Sequence, residues 1–258
     1  MKEENSKPTL LIADDHPEIL DFLSEDLSEH YEILQAENGK QALDIVLEKP
    51  VNLIVSDVMM PEIDGYELCK IIKSNVEHSH IPIILLTAKN TLRSKIEGLE
   101  VGADAYIEKP FSPEYLQVQI ANLLSNRTKI REYFSSSPLA NINTMAYTKT
   151  DKQFLDELNE IIHKHINDPQ LDVEKLGGLM CMSRPTFYRK IKAISNLTPN
   201  DLINITRLKR AAELLRQGNY RIYEISELVG YSSQSHFGRN FQKQFGMSPS
   251  EYAVTYKV

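Results

Sequence analysis

At 258 residues, with 41% apolar, 8% aromatic and 25% charged residues, the chain has room for two modest domains of ordinary globular composition. Its N-terminus, MKEENSKPT, is polar, and no window approaches the ~18 apolar residues of a membrane span, so neither export nor a membrane span is expected and a cytoplasmic location is. The net charge of −7 is uneven: residues 1–125 carry 10 Lys+Arg against 23 Asp+Glu, residues 126–258 carry 19 against 13, and the basic half is the candidate for nucleic acid.

In the first half, apolar runs alternate with helical patterns. Strands are expected at Thr9–Ala13, Tyr31–Ala36, Val51–Val55, Pro82–Leu86 and Ala105–Ile107. Helices are expected at His16–Glu29, Gly39–Leu47, Tyr66–Lys73, Leu92–Leu99 and Pro113–Leu124. Five β–α units predict an α/β domain over residues 8–125, a doubly wound parallel sheet of order 2-1-3-4-5. Cys69 lies here and Cys181 in the second half, both in helical patterns without a CxxC pair, which fits core thiols in a reducing compartment.

The carboxyl ends of such strands are where ligand chemistry gathers. Asp14 and Asp15 follow the first strand, Asp57 the third, Thr87 the fourth and Lys109 the fifth. Three converging carboxylates repel unless a cation binds, and Mg²⁺ takes such oxygens. A phosphoryl group on Asp57 would add negative charge that Lys109 can pair and Thr87 can hydrogen-bond. Each residue alone reads as a helix cap or a solvated turn, and the constellation carries the inference.

These pieces resemble a response-regulator receiver domain: Asp14-Asp15, the segment Asp57-Val58-Met59-Met60-Pro61 with Asp64-Gly65, Thr87-Ala88, and Tyr106 three residues before Lys109-Pro110. The resemblance implies phosphorylation of Asp57 by a histidine-kinase phosphodonor. It implies Mg²⁺ held by Asp15, Asp57 and the Met59 carbonyl, with Asp14 acting through water. It also implies a switch in which Thr87 moves toward the phosphoryl group and Tyr106 swings inward, altering the face formed by Leu92–Leu99, the fifth strand and the helix from Pro113.

Residues 126–150 lack sustained periodicity; Arg127, Lys129 and Arg131 can extend the preceding helix, Ser135-Ser136-Ser137-Pro138 then breaks it, and a partly flexible linker of about 15–20 residues is expected. Residues 151–258 then read as helix throughout. Phe154, Leu155, Leu158, Ile161 and Ile162 form an apolar stripe that ends at Asn167-Asp168-Pro169. Asp172 can cap Val173–Met180, and Ser183 can cap a helix from Arg184 whose Phe187, Ile191 and Ile194 share a core face. A long helix, Asn200–Arg216, precedes a second such pair, Ile222–Val229 and a helix capped by Ser233 with Phe237, Phe241 and Phe245 at i, i+4 and i+8. Two helix-turn-helix units in one basic domain are expected, each with its second helix in a major groove. His163, His165 and His236 lack a carboxylate or thiol at ligand spacing and read as surface histidines rather than metal ligands.

This half resembles the AraC-type DNA-binding domain. The resemblance is carried by Met182-Ser183-Arg184, Phe187 to Lys190, Arg207 to Ala211, and the closing run from Ile225 through Val229-Gly230-Tyr231 to Phe245-Gly246-Met247-Ser248-Pro249-Ser250-Glu251-Tyr252. It implies two recognition helices about one DNA turn apart. Base-edge candidates are Arg184, Thr186, Tyr188 and Arg189 in the first and Gln234, Ser235 and Arg239 in the second. Gly177-Gly178 departs from the family pattern in the first scaffold helix; two glycines there cost about 1–2 kcal/mol of helix stability, so the first unit is expected to be softer and to order on DNA.

Together the halves resemble the C-terminal part of a hybrid two-component regulator, in which sensor and kinase precede the receiver on one polypeptide. With Met1 first and no kinase segment in the 258 residues, a free-standing response regulator and an excised piece both fit. The expected function is phosphorylation-controlled transcription regulation, without enzymatic turnover. A homodimer would form on phosphorylation to bind double-stranded DNA, with RNA polymerase a further candidate partner. A Mg²⁺-dependent phosphatase with an Asp nucleophile is the enzymatic rival, but its DxD pattern after the first strand is replaced by Asp14-Asp15-His16. A relay phosphate sink with constitutive DNA binding is the third reading.

Overall fold

The computed structural model describes residues 7–88, 100–136 and 140–256. The chain divides into two compact units, Met1–Thr128 and Lys129–Val258.

The first unit is a five-stranded parallel sheet of β1 (Thr9–Ala13), β2 (Glu32–Ala36), β3 (Leu53–Asp57), β4 (Ile83–Thr87) and β5 (Ala105–Glu108), in the order β2-β1-β3-β4-β5. β1, β3 and β4 are almost wholly buried, as strands covered on both faces must be. Successive residues point to opposite faces. Leu10 and Ile12 thus join Leu53, Val55, Ile84 and Leu86 against the helices Pro17–Leu27 and Pro113–Ser136. Leu11 and Ala13 face the other way, with Ile54, Ile83 and Leu85, against Gly39–Glu48 and Gly65–Ser74. The helix expected at Leu92–Leu99 lies outside the described residues.

The second unit is helical. Helices Lys149–Lys164, Val173–Leu179 and Arg184–Ser195 share one core with the start of Pro199–Gln217. The end of that long helix shares a second core with Ile222–Leu228, Gln234–Phe245 and Pro249–Tyr256. Ser183, Asp172 and Ser233 accept hydrogen bonds from the backbone N–H of Thr186, Lys175 and His236, fixing the three helix starts. Thr198 and Asp201 form a reciprocal capping box on the long helix.

In the segment 126–150 the helix extends as expected but runs on to Ser136, and described residues around and beyond it are packed rather than flexible. A 3₁₀ turn forms at Ile142–Met145. Phe134, Ala140, Ile142 and Met145 are buried with Phe154 and Leu158 in the core of the second unit. Their spacing matches neither the helix nor the strand period, so a periodic reading misses them. Gly177-Gly178 sit in a formed helix, and Gly177 has a packing reason: a Cβ there would lie 3.3 Å from the Met182 carbonyl oxygen.

Candidate functional site

β3 ends in Asp57, and the Val58 N–H donates to the Leu86 carbonyl at 2.9 Å, so the strand end is held by its neighbour. The loop after it returns close to the strand. Asp64 caps the next helix by accepting from the Glu67 N–H at 2.8 Å. Position 65 requires glycine, because a Cβ there would lie 2.2 Å from the Asp57 carbonyl oxygen. Glu62, in the same loop, is held at φ 65°, in the left-handed region that a non-glycine residue rarely adopts.

Three strand ends supply the site. The Lys109 ammonium donates to Asp57 Oδ1 at 2.5 Å and to Asp14 Oδ2 at 2.8 Å, bridging two buried carboxylates. The Met59 N–H donates to Asp57 Oδ2 at 2.5 Å. Asp14 Oδ1 accepts from the His16 N–H at 3.0 Å, and the His16 ring lies 3.1 Å from it and 2.9 Å from Asp15 Oδ1. Burial raises the Asp57 carboxyl above its ordinary range, opposed by Lys109 and the Met59 amide. Burial works to lower the Lys109 pKa, but its hydrogen bonds to Asp14 and Asp57 outweigh that, and the ammonium is held more firmly than usual. The hydrogen bond to Asp14 and the charges of Asp15 and Asp14 raise the pKa of His16.

The carboxylates of this site, rather than the His16 ring, fit a hard cation. Asp14, Asp15 and His16 bring ligand atoms within 4.8 Å of one another, and Asp57 adds a carboxylate tied to Asp14 through Lys109. Carboxylate and carbonyl oxygens at a partly open edge suit Mg²⁺. Thr87 ends β4, fully buried, and its carbonyl accepts from the Lys109 N–H at 2.7 Å. Tyr106, half-buried on β5, has its hydroxyl 3.1 Å from that of Tyr66. Sequence reasoning missed His16 and Tyr66. His16 stands next to the acidic pair and could have been found there, whereas Tyr66 meets Tyr106 only through the fold.

In the second unit Arg184, Tyr188 and Arg189 are exposed on Arg184–Ser195, as are Gln234, Ser235 and Arg239 on Gln234–Phe245. Thr186 is half-buried and its hydroxyl accepts from Ser183 Oγ at 3.0 Å, so that group serves the helix cap. Lys190, on the same helix, points inward. Its ammonium donates to Asp151 at 2.7 Å with both side chains fully buried, an ion pair that no period in the sequence reveals.

Residues 10–121 match the response regulator receiver domain family, and residues 176–254 match a helix-turn-helix domain family. "Histidine kinase P4" of Formosa agariphila is 41% identical over 98% of this chain, which spans 18% of that protein. "Probable transcriptional regulator ycf27" of Porphyra purpurea is 38% identical over 57% of this chain and 60% of its own length. The receiver domain structure of a signal transduction histidine kinase from Syntrophus aciditrophicus is 37% identical, covering 46% of this chain and 91% of that one, with a TM-score of 0.45. The chain therefore spans less than two thirds of these curated relatives. One polypeptide here joins a response regulator receiver domain, residues 10–121, to an AraC-type helix-turn-helix domain, residues 176–254.

Proposed function

We propose that Asp57 accepts a phosphoryl group from a histidine-kinase donor, and that its phosphorylation controls dimerisation and sequence-specific DNA binding by the second unit. The observation that carries this reading is the Lys109 ammonium bridging Asp57 and Asp14 at the carboxyl edge of the sheet. An Asp57 oxygen attacks phosphorus, the new P–O bond forms, the P–N bond to the donor imidazole breaks, and the imidazole leaves with its electron pair. Lys109 neutralises charge on the phosphoryl oxygens, and the Met59 amide orients the carboxylate. Asp14, Asp15, Asp57 and the Met59 carbonyl would hold Mg²⁺, which supplies electrostatic stabilisation of the transferring group. Thr87 and Tyr106 are the switch residues of this reading.

Phosphorylation then favours a receiver dimer, and two tethered DNA-binding units meet paired sites at raised effective concentration. The base-reading groups are Arg184, Tyr188, Arg189, Gln234, Ser235 and Arg239, with Thr186 contributing through its methyl group. In this reading the protein acts in the cytoplasm, where it meets double-stranded DNA; among the described residues no helix is long and apolar enough to cross a membrane.

The test is sizing chromatography and capture of duplexes from a random DNA pool, with and without acetyl phosphate and Mg²⁺, for the wild type and Asp57→Ala. A larger species and stronger DNA enrichment should follow phosphorylation in the wild type alone. Equal capture by both proteins would replace this reading with that of a phosphate sink whose DNA binding is constitutive.

A further inference from the structure

The long helix Pro199–Gln217 belongs to both apolar cores of the second unit. Leu202, Ile203 and Ile205 pack into the core of the first helix-turn-helix, and Leu208 begins the residues that pack into the core of the second. Arg207 falls between these two sets. Its guanidinium reaches the first half, donating from Nη2 to the Asp168 carbonyl at 2.5 Å, in the loop that precedes Val173–Leu179.

The same guanidinium touches the second half. A Cβ built on Gly230, in the turn between Ile222–Leu228 and Gln234–Phe245, would lie 2.8 Å from Arg207 Nη2 and 2.4 Å from the Ile166 carbonyl oxygen. Gly230 has φ 76°, so this turn needs glycine both for its backbone and for the approach. Beside it the Tyr231 hydroxyl hydrogen-bonds to Asn204, one turn before Arg207 on the long helix. The Asn240 amide of the second recognition helix reaches that hydroxyl at 3.4 Å. A planar cation thus stands where the first loop, the long helix and the second turn converge.

We propose that Arg207 is a specificity-determining positioning residue: it locks the second recognition helix against the first half and so sets the base-pair spacing at which the two halves of a DNA site are read. This rests on the DNA-binding reading above. Each base pair inserted between two half-sites moves one of them ~3.4 Å along the duplex and turns it by about a tenth of a revolution. A locked pair of helices tolerates neither change, whereas a pair free to pivot absorbs both.

The experiment begins with the duplex that the full wild-type chain, treated with acetyl phosphate and Mg²⁺, selects from a random pool. Affinities of the wild type and Arg207→Met are measured for that duplex and for versions with one base pair inserted or removed between its two contacted boxes. The wild type should lose about tenfold or more at either altered spacing, while Arg207→Met should bind all three within about threefold. Should Arg207→Met lose its helical circular dichroism, Arg207→Gln is the variant that decides, by the same ratio. A folded variant that keeps the wild-type spacing penalty overturns the proposal, even if its overall affinity has dropped, because that drop alone is what a merely structural residue would give. Failure of the wild type to select any duplex would instead overturn the DNA-binding reading, and this inference with it.

Discussion

Lys109 Nζ lies 2.5 Å from Asp57 Oδ1, and the same ammonium holds Asp14 at 2.8 Å. Two buried carboxylates therefore share one cation. Replacing it by an apolar side chain leaves like charges facing each other with little water. Lys109→Met should cost the receiver about 1–2 kcal/mol in Mg²⁺-free buffer, a figure discounted for the partial exposure of the lysine. Added Mg²⁺ should restore part of it, as another cation meets the same oxygens. Urea denaturation with and without Mg²⁺ checks both statements.

Gly177 and Gly178 are adjacent but not equivalent. A Cβ at 178 meets nothing within 4 Å, whereas one at 177 would lie 3.3 Å from the Met182 carbonyl oxygen. Gly178→Ala should therefore stabilise the second unit by about 1 kcal/mol, the ordinary helix-propensity difference. Gly177→Ala should gain less or lose stability. Thermal denaturation of the two variants side by side separates propensity from packing.

The burial of Phe134, Ala140, Ile142 and Met145 predicts where the DNA-binding unit begins. A fragment starting at Lys129 keeps these side chains, and one starting at Asp151 loses them. With about 1.5–3 kcal/mol for each large apolar side chain buried, the shorter fragment should be destabilised by at least ~4 kcal/mol. Denaturant midpoints of the two fragments measure this.

Lys209 gives a pH dependence. Its ammonium lies 3.8 Å from the centre of the Phe134 ring and donates to the Ala140 carbonyl at 2.7 Å, and burial brings its pKa down from 10.5 to about 8. The unfolded chain keeps the proton to higher pH than the folded one. Between about 8 and 10.5 the unfolded state thus binds more protons, and stability rises with pH across that window. Lys209→Met should lack this increment, seen as a smaller gain in denaturant midpoint from pH 8 to pH 10.

The sheet was legible because β1, β3 and β4 are short apolar runs bounded by polar residues, and the candidate site because Asp14, Asp57, Thr87 and Lys109 all stand at or just past strand ends. Chain topology brings such positions together without long-range detail. The helix-turn-helix caps Ser183 and Ser233 were legible for a similar local reason. Contacts between distant segments were not. The Lys190–Asp151 ion pair joins residues 39 apart, and Arg207 meets the Asp168 carbonyl across the same separation. Nothing in the sequence marked either cation as buried, since periodicity carries no information about which partner arrives from another helix. Cys181, expected as a core thiol, is instead exposed, at φ 54° in the first turn where Gly230 stands at φ 76° in the second.

On the proposed reading Asp57 is the phosphoacceptor of a working receiver. The most direct measurement is the intact mass of the wild type and Asp57→Ala after incubation with acetyl phosphate, with and without Mg²⁺. The wild type should gain one phosphoryl group, only with Mg²⁺ present, and the variant none. An equal gain in Asp57→Ala, or no gain in the wild type even with a histidine-kinase phosphodonor, would contradict it.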